Sequence, residues 1–229
     1  MEWLGKAAEN GNTQAQYALG KLYRDGNHVE KDIVKAVALF KLSSEQENQF
    51  AQYALGKLYL FGEEIPKDVE AAVKWLRASA EQENNFAQYT LGKLYVEGKD
   101  VPKDVDAGLK LLTASAEQGN QFAQFQLGKI YLAGKEVEQD KALATHWLSL
   151  SAAQGNEYAQ LLLEKMDATE VEFLLILMQL FSTQNQNQNQ NHSRNYPLSH
   201  LEGHALREKI LDLQFGSSMN WDKGQGYER

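Results

Sequence analysis

Apolar residues near the start of the chain fall into two alternating helical stripes. Ala15, Ala18, Leu19, Leu22 and Tyr23 stand at i, i+3, i+4, i+7 and i+8, which is one face of an α-helix. After a short polar interval, Ile33, Ala36, Val37, Phe40 and Ser44 form a second stripe. Gly26 lies where the first helix must stop, because glycine enters a left-handed turn without a Cβ clash. Asp32 lies where the second helix must start, because its carboxylate accepts orphan amide hydrogens at the positive helix end. The pattern predicts a helix, a loop and a second helix.

The same pattern returns every 36 residues. AQYALGKLY begins at Ala15 and Ala51, AQYTLGKLY at Ala87 and AQFQLGKIY at Ala123, with a worn copy, AQLLLEKM, at Ala159. The stop glycine recurs as Gly62, Gly98 and Gly134, and the capping aspartate as Asp68, Asp104 and Asp140. Four units follow, from Asn12 to Glu47, Asn48 to Glu83, Asn84 to Gly119 and Asn120 to Gly155. A helix pair cannot bury its apolar face alone, so such units stack. The predicted fold is all-α: a right-handed helical-repeat solenoid of helix-turn-helix units, with the first helices lining an inner surface.

Gly20, Gly56, Gly92 and Gly128 fall inside the first helices, where each costs about 1 kcal/mol relative to alanine. Their common phase predicts a close approach by the second helix, with Ala36, Ala72, Gly108 and Ala144 as small partners. Glycine also closes each second helix at Gly11, Gly119 and Gly155, but Glu47 and Glu83 replace it in the middle copies. Those two turns are expected to lose a little stability, or to end without a left-handed residue.

The pattern A-x-x-x-L-G-x-L-Y, then G, then V-x-K-D, A-x-x-W-L and S-A-x-Q-G-N resembles the SEL-one-like repeat, a relative of the tetratricopeptide repeat. The tryptophan position fits best at Trp75 and Trp147, and the likeness runs from residue 1 to about 167. It implies an adaptor or scaffold. Some secreted relatives carry a cysteine pair per repeat; this chain has no cysteine and departs from that branch. Trp3-Leu4 aligns with Trp147-Leu148, so residues 1–11 read as the second helix of a partial repeat, with an apolar face left uncovered. Residues 12–167 then hold four full units plus a degenerate one, and 168–182 a closing hydrophobic helix. Residues 183–197 read as a disordered Asn/Gln linker, and 198–229 as a tail with one short helix. In its order of elements, without a diagnostic motif, this end resembles the C-termini of plasmid mobilisation relaxases of Firmicutes. That implies an alternative role as the interaction module of a larger DNA-processing protein.

Charge narrows the partners. Residues 183–229 carry five basic and five acidic side chains, so the net charge of −8 belongs to residues 1–182. An acidic body repels phosphate backbones, which argues against nucleic acid as the partner of the repeats. No basic segment followed by an apolar run opens the chain, and the most apolar stretch, Val171–Phe181, is too short to span a bilayer. A cytoplasmic protein without membrane contact is expected.

Candidate chemistry is sparse. His200 and His204 share a helical spacing but want further ligands for a metal, and His28 and His146 stand alone. No nucleophilic triad, phosphate loop or dinucleotide fingerprint occurs, so neither an enzyme, a cofactor nor a small-molecule substrate is expected. One constellation stands out on the first helices, at positions facing away from the apolar stripe. Tyr17, Tyr53, Tyr89 and Phe125 form one column, and Lys21, Lys57, Lys93 and Lys129 a second; Arg24, Leu60, Val96 and Leu132 make a third. An aromatic column beside a lysine column suits a protein or peptide partner of acidic character. The alternative is that the rings pack between neighbouring first helices while the lysines are merely solvated.

Overall fold

The computed structural model describes residues 2–167, and the expected features at 168–229 lie outside them. Ten helices run along these residues, with no strand among them. They are α1 (Glu2–Glu9), α2 (Thr13–Asp25), α3 (Ile33–Glu45), α4 (Gln49–Phe61), α5 (Val69–Glu81), α6 (Asn85–Glu97), α7 (Val105–Glu117), α8 (Gln121–Ala133), α9 (Lys141–Ala153) and α10 (Glu157–Asp167). The chain divides into two compact units, residues 1–160 and 161–229. The first is a helical-repeat solenoid; the described residues of the second complete α10.

Caps set the helix lengths. Asp32, Asp68, Asp104 and Asp140 each accept the amide three residues on, at 2.9–3.0 Å, as the sequence predicts. The first helices are capped by asparagine: Asn48, Asn84 and Asn120 each accept two amides at 3.0–3.2 Å. Gly26, Gly62, Gly98 and Gly134 end those helices with φ between 62° and 70°.

In the middle turns the second of the two expectations, an end without a left-handed residue, does not hold. Glu47 and Glu83 take the left-handed conformation themselves, both at φ 62°, where Gly119 and Gly155 sit at 85° and 88°. The turn geometry is imposed by its hydrogen bonds: Asn48 N–H reaches the Ser43 carbonyl and Asn84 N–H that of Ser79, both at 3.2 Å. Glutamate follows, against its own preference.

The helix pairs meet closely at the internal glycines. A Cβ on Gly56 would lie 2.8 Å from Leu76 Cγ, on Gly128 2.6 Å from Leu148 Cγ, and on Gly20 2.8 Å from the Phe40 ring. The expected small partners contribute less than these larger side chains, which lie four residues further along the second helix. At Gly92 the backbone itself approaches, with the Gly108 carbonyl oxygen 2.9 Å from such a Cβ. Phe40, Leu55, Leu76, Leu91, Leu112, Leu127 and Leu148 are thereby fully buried. Each contributes about 1.5–3 kcal/mol by leaving water.

In α2 the buried face is rotated from the predicted stripe, whereas Ala54 of α4 and Ile130 of α8, at the positions of Ala18 and Leu22, are buried. Ala15, Gln16, Leu19 and Gly20 are buried, whereas Ala18 and Leu22 are only half-buried. Gln16, Gln52, Gln88 and Gln124 occupy this face at 4–6 % exposure. Their Nε2 groups donate to the carbonyls of Ala8, Ser44, Ala80 and Ala116 on the preceding helix, at 3.0–3.4 Å. Their Oε1 atoms accept from Gln46, Gln82, Gln118 and Gln154 at the end of the following one, at 2.7–2.8 Å. Ser43, Ser79, Ser115 and Ser151 donate to the first carbonyl of their own unit's first helix, at 2.6–2.8 Å. Three helices are thus joined at each glutamine.

Candidate functional site

The aromatic column is coupled from unit to unit. Tyr17 meets Phe50 of the next first helix with ring centroids 6.0 Å apart. Tyr53 meets Phe86 at 5.9 Å, Tyr89 meets Phe122 at 6.1 Å and Phe125 meets Tyr158 at 6.4 Å. Their planes are tilted by 31–41°, an offset that suits ring quadrupoles. The tyrosines are half-buried, while Phe50 and Phe86 are each 47 % exposed. Tyr17 also touches the core ring of Phe40 at 6.0 Å, so the strip is anchored from below.

Phe50, Phe86, Phe122 and Tyr158 are the site residues that sequence reasoning missed. Their signal was present: they recur at the repeat period, one helical turn before the tyrosine column. Within α4, Phe50, Tyr53, Lys57 and Phe61 follow i, i+3, i+7 and i+11, a single stripe along the helix.

The lysines are neither buried nor simply solvated. Lys21 lies over Tyr17 at 6.0 Å, Lys57 over Tyr53 at 5.7 Å and Phe61 at 6.0 Å, and Lys129 over Phe125 at 5.4 Å. Stems that cover ring faces hold the ammonium groups at the margin of the strip. Glu97 lies 3.8 Å from the Lys93 ammonium, one turn on. The structure therefore brings all eight predicted residues into one band, in which the rings pack between first helices and stay partly exposed.

The third predicted column does not share that face. Leu60 and Val96 are buried in the core at 6 % and 5 % exposure, and Arg24 turns its guanidinium to Asp25 at 2.7 Å. Leu60 and Val96 pack against the second helix of their own unit, while Leu132 is half-buried.

His28 and His146 are exposed and lie apart from the band; His146 meets Trp147 edge-on at 5.0 Å. Among the described residues no group of three His, Cys, Asp or Glu side chains is arranged to hold a metal. None of the described helices is long and apolar enough to cross a membrane.

Comparison with known proteins agrees with this architecture. A family model described as the Sel1 repeat matches residues 1–12, 13–48, 49–84, 85–120 and 121–156. A protective antigen of uropathogenic Escherichia coli with an SLR fold is 36% identical over 72% of this chain, with a TM-score of 0.69. This chain covers 35% of that protein, about a third of its length. A Sel1 repeat protein from Oxalobacter formigenes is 32% identical over 73% of this chain and 69% of its own, with a TM-score of 0.68. An immunity protein of Pseudomonas aeruginosa is 28% identical over 74% of this chain and 62% of its own, with a TM-score of 0.50. No curated protein matches the chain. Sel1-repeat proteins are generally protein-interaction scaffolds. With its repeats matched in unbroken succession from residue 1 to residue 156, the chain belongs to the Sel1-repeat family.

Proposed function

We propose that this protein is a non-catalytic scaffold that binds a partner protein or acidic peptide along its first-helix face. The band formed by Tyr17, Lys21, Tyr53, Lys57, Tyr89, Lys93, Phe125 and Lys129 is the docking surface. The observation that carries this reading is the aromatic strip, continuous over successive first helices, half-exposed and edged by lysines. Aromatic rings supply large contact area at small entropic cost, and lysines at their margin select for carboxylates.

Lys57 and Lys129 are the residues to reverse, since each lies over a ring of the aromatic column. A partner captured with the full chain is titrated against Lys57→Glu/Lys129→Glu. Affinity should fall at least tenfold, about 1.4 kcal/mol. Reversal of Lys110, exposed on a second helix, should leave it unchanged. Equal affinity of the band variant and the parent would sink the proposal.

A further inference from the structure

The band is not equally apolar along its length. Among the described residues, the large hydrophobic side chains left exposed on first helices are Phe50, Phe61 and Phe86, at 47 %, 57 % and 47 %. Two of them lie on α4, and the third rests against α4 through Tyr53, with ring centroids 5.9 Å apart. The apolar patch therefore centres on one helix. Phe61 is the member that the repeat does not require. The equivalent positions in the other three units hold Asp25, Glu97 and Ala133. Those units fold with a charged or small side chain where this one carries a ring, and more than half of that ring stays in water. An exposed aromatic side chain without a role in packing marks a contact surface.

On the same helix Lys57 is set between two rings. Its ammonium lies 5.7 Å from the Tyr53 centroid and 6.0 Å from that of Phe61. Tyr53 stands four residues before it and Phe61 four residues after. At about 1.5 Å per residue, the two rings are about 6 Å to either side of the lysine along the helix. A carboxylate that reaches this ammonium brings the neighbouring side chains of its own segment onto one ring or the other. An exposed ion pair by itself contributes little, about fivefold in affinity at most. An apolar side chain laid on Phe61 contributes in two ways. It takes ring surface out of water, and it lowers the local dielectric around the adjoining ammonium, which strengthens the ion pair. Binding energy concentrates on such buried anchors, while surrounding polar contacts exclude water. The remaining lysines of the column then form the rim of the contact.

Resting on the docking face proposed above, we infer that α4 is its anchor point. The ligand is an acidic segment with a bulky apolar side chain next to its carboxylate, and that side chain seats on Phe61. A phage library of random 12-residue peptides, selected on the immobilised full chain, tests this. Enriched peptides should carry Asp or Glu with Leu, Met, Phe or Trp within four residues. The most enriched peptide is then titrated by fluorescence polarisation. Phe61→Ser should weaken it at least tenfold, whereas Phe61→Met, which keeps an apolar side chain, should stay within about threefold of the parent. Both variants should keep the parent's helicity and thermal midpoint, because the ring is largely in water. Enriched acidic peptides that lack an apolar residue, or that bind Phe61→Ser as well as the parent, overturn the anchor. If those peptides are still lost in Lys57→Glu/Lys129→Glu, the docking face stands without it. If they respond neither to Phe61 nor to the lysines, both readings fall. A selection that enriches no peptide also overturns the anchor, and the partner titration above then decides the face alone.

Discussion

The two edges of the solenoid hold neighbouring units together by different physics. On the edge where a second helix turns into the next first helix, the links are buried amides and hydroxyls. Each glutamine from Gln16 to Gln124 joins three helices, and each serine from Ser43 to Ser151 ties one helix end to its partner. On the opposite edge, the loops are linked by ion pairs in water: Lys31 with Glu64, Lys67 with Asp100 at 2.7 Å, and Lys103 with Glu136 at 2.5 Å. The fourth unit replaces the lysine by Gln139, which turns back to the Leu132 carbonyl at 2.7 Å. Among the described residues the buried network appears in all four units and the ionic link at all three junctions between their successive loops. A buried polar group without its partner costs about 1–3 kcal/mol, whereas an exposed ion pair contributes about 0–1 kcal/mol.

That difference is broken most directly at Gln52. Leucine has similar bulk but neither donates to the Ser44 carbonyl at 3.2 Å nor accepts from Gln82. Gln52→Leu should destabilise the chain by about 1–3 kcal/mol, because the Ser44 carbonyl keeps only the Glu47 amide and the Gln82 side-chain amide loses its acceptor. Urea unfolding followed by circular dichroism measures this. A loss below that of the lysine substitution described below would reverse the ranking of the two edges.

The same edge holds a defect that can be repaired. Glu83 sits at φ 62° in a turn where other units use glycine. A non-glycine residue there costs about 1–2 kcal/mol, and glycine gives back part of that through its freer unfolded state. Glu83→Gly should therefore stabilise by about 0.5–1 kcal/mol. Thermal unfolding at matched pH reads the shift, and a lowered midpoint would mean that the Glu83 side chain makes a stabilising contact of its own.

How these features showed in the sequence follows the same division. The repeat, the stop glycines and the aspartate caps were legible because each requirement is local: one residue meets one backbone geometry. The close approach at Gly56 was legible from phase alone, although its partner, Leu76, lies on the second helix and its identity depends on how the pair packs. The glutamine joint was not legible. Gln16 and Gln46 recur at the repeat period, but a polar residue beside an apolar stripe reads as solvated until its three helices are in place. The aromatic band lay between these cases. Tyr53 was found by its column, whereas Phe86 becomes part of the band only once α4 and α6 are side by side.

On the ionic edge the expected effect is smaller. Lys67→Met removes the link to Asp100, with 45 % of the lysine side chain in solvent. The loss should stay within about 1 kcal/mol and shrink as salt is raised, because exposed pairs are screened. Comparing denaturation midpoints at low and high sodium chloride checks both points. A loss that persists at high salt would show that the lysine stem, rather than its charge, joins the loops.

The smallest effect concerns a cap on that edge. The amide of Lys35 first, and then its ammonium, hold the Asp32 carboxyl below the ordinary carboxylate range. The sign follows from the direction of the shift. A carboxyl depressed in the folded state stabilises the fold above its unfolded value, about 3.9, and that contribution is lost as pH falls through the folded value. Asp32→Asn keeps an oxygen that accepts the Lys35 amide but cannot titrate, and asparagine caps about as well as aspartate. The substitution should therefore leave stability near neutrality almost unchanged and flatten its decline below about pH 4. Urea midpoints of the two proteins at pH 7 and pH 3 decide it. Parallel declines in both would place the acid sensitivity elsewhere, whereas a smaller decline in the variant assigns part of it to this one cap.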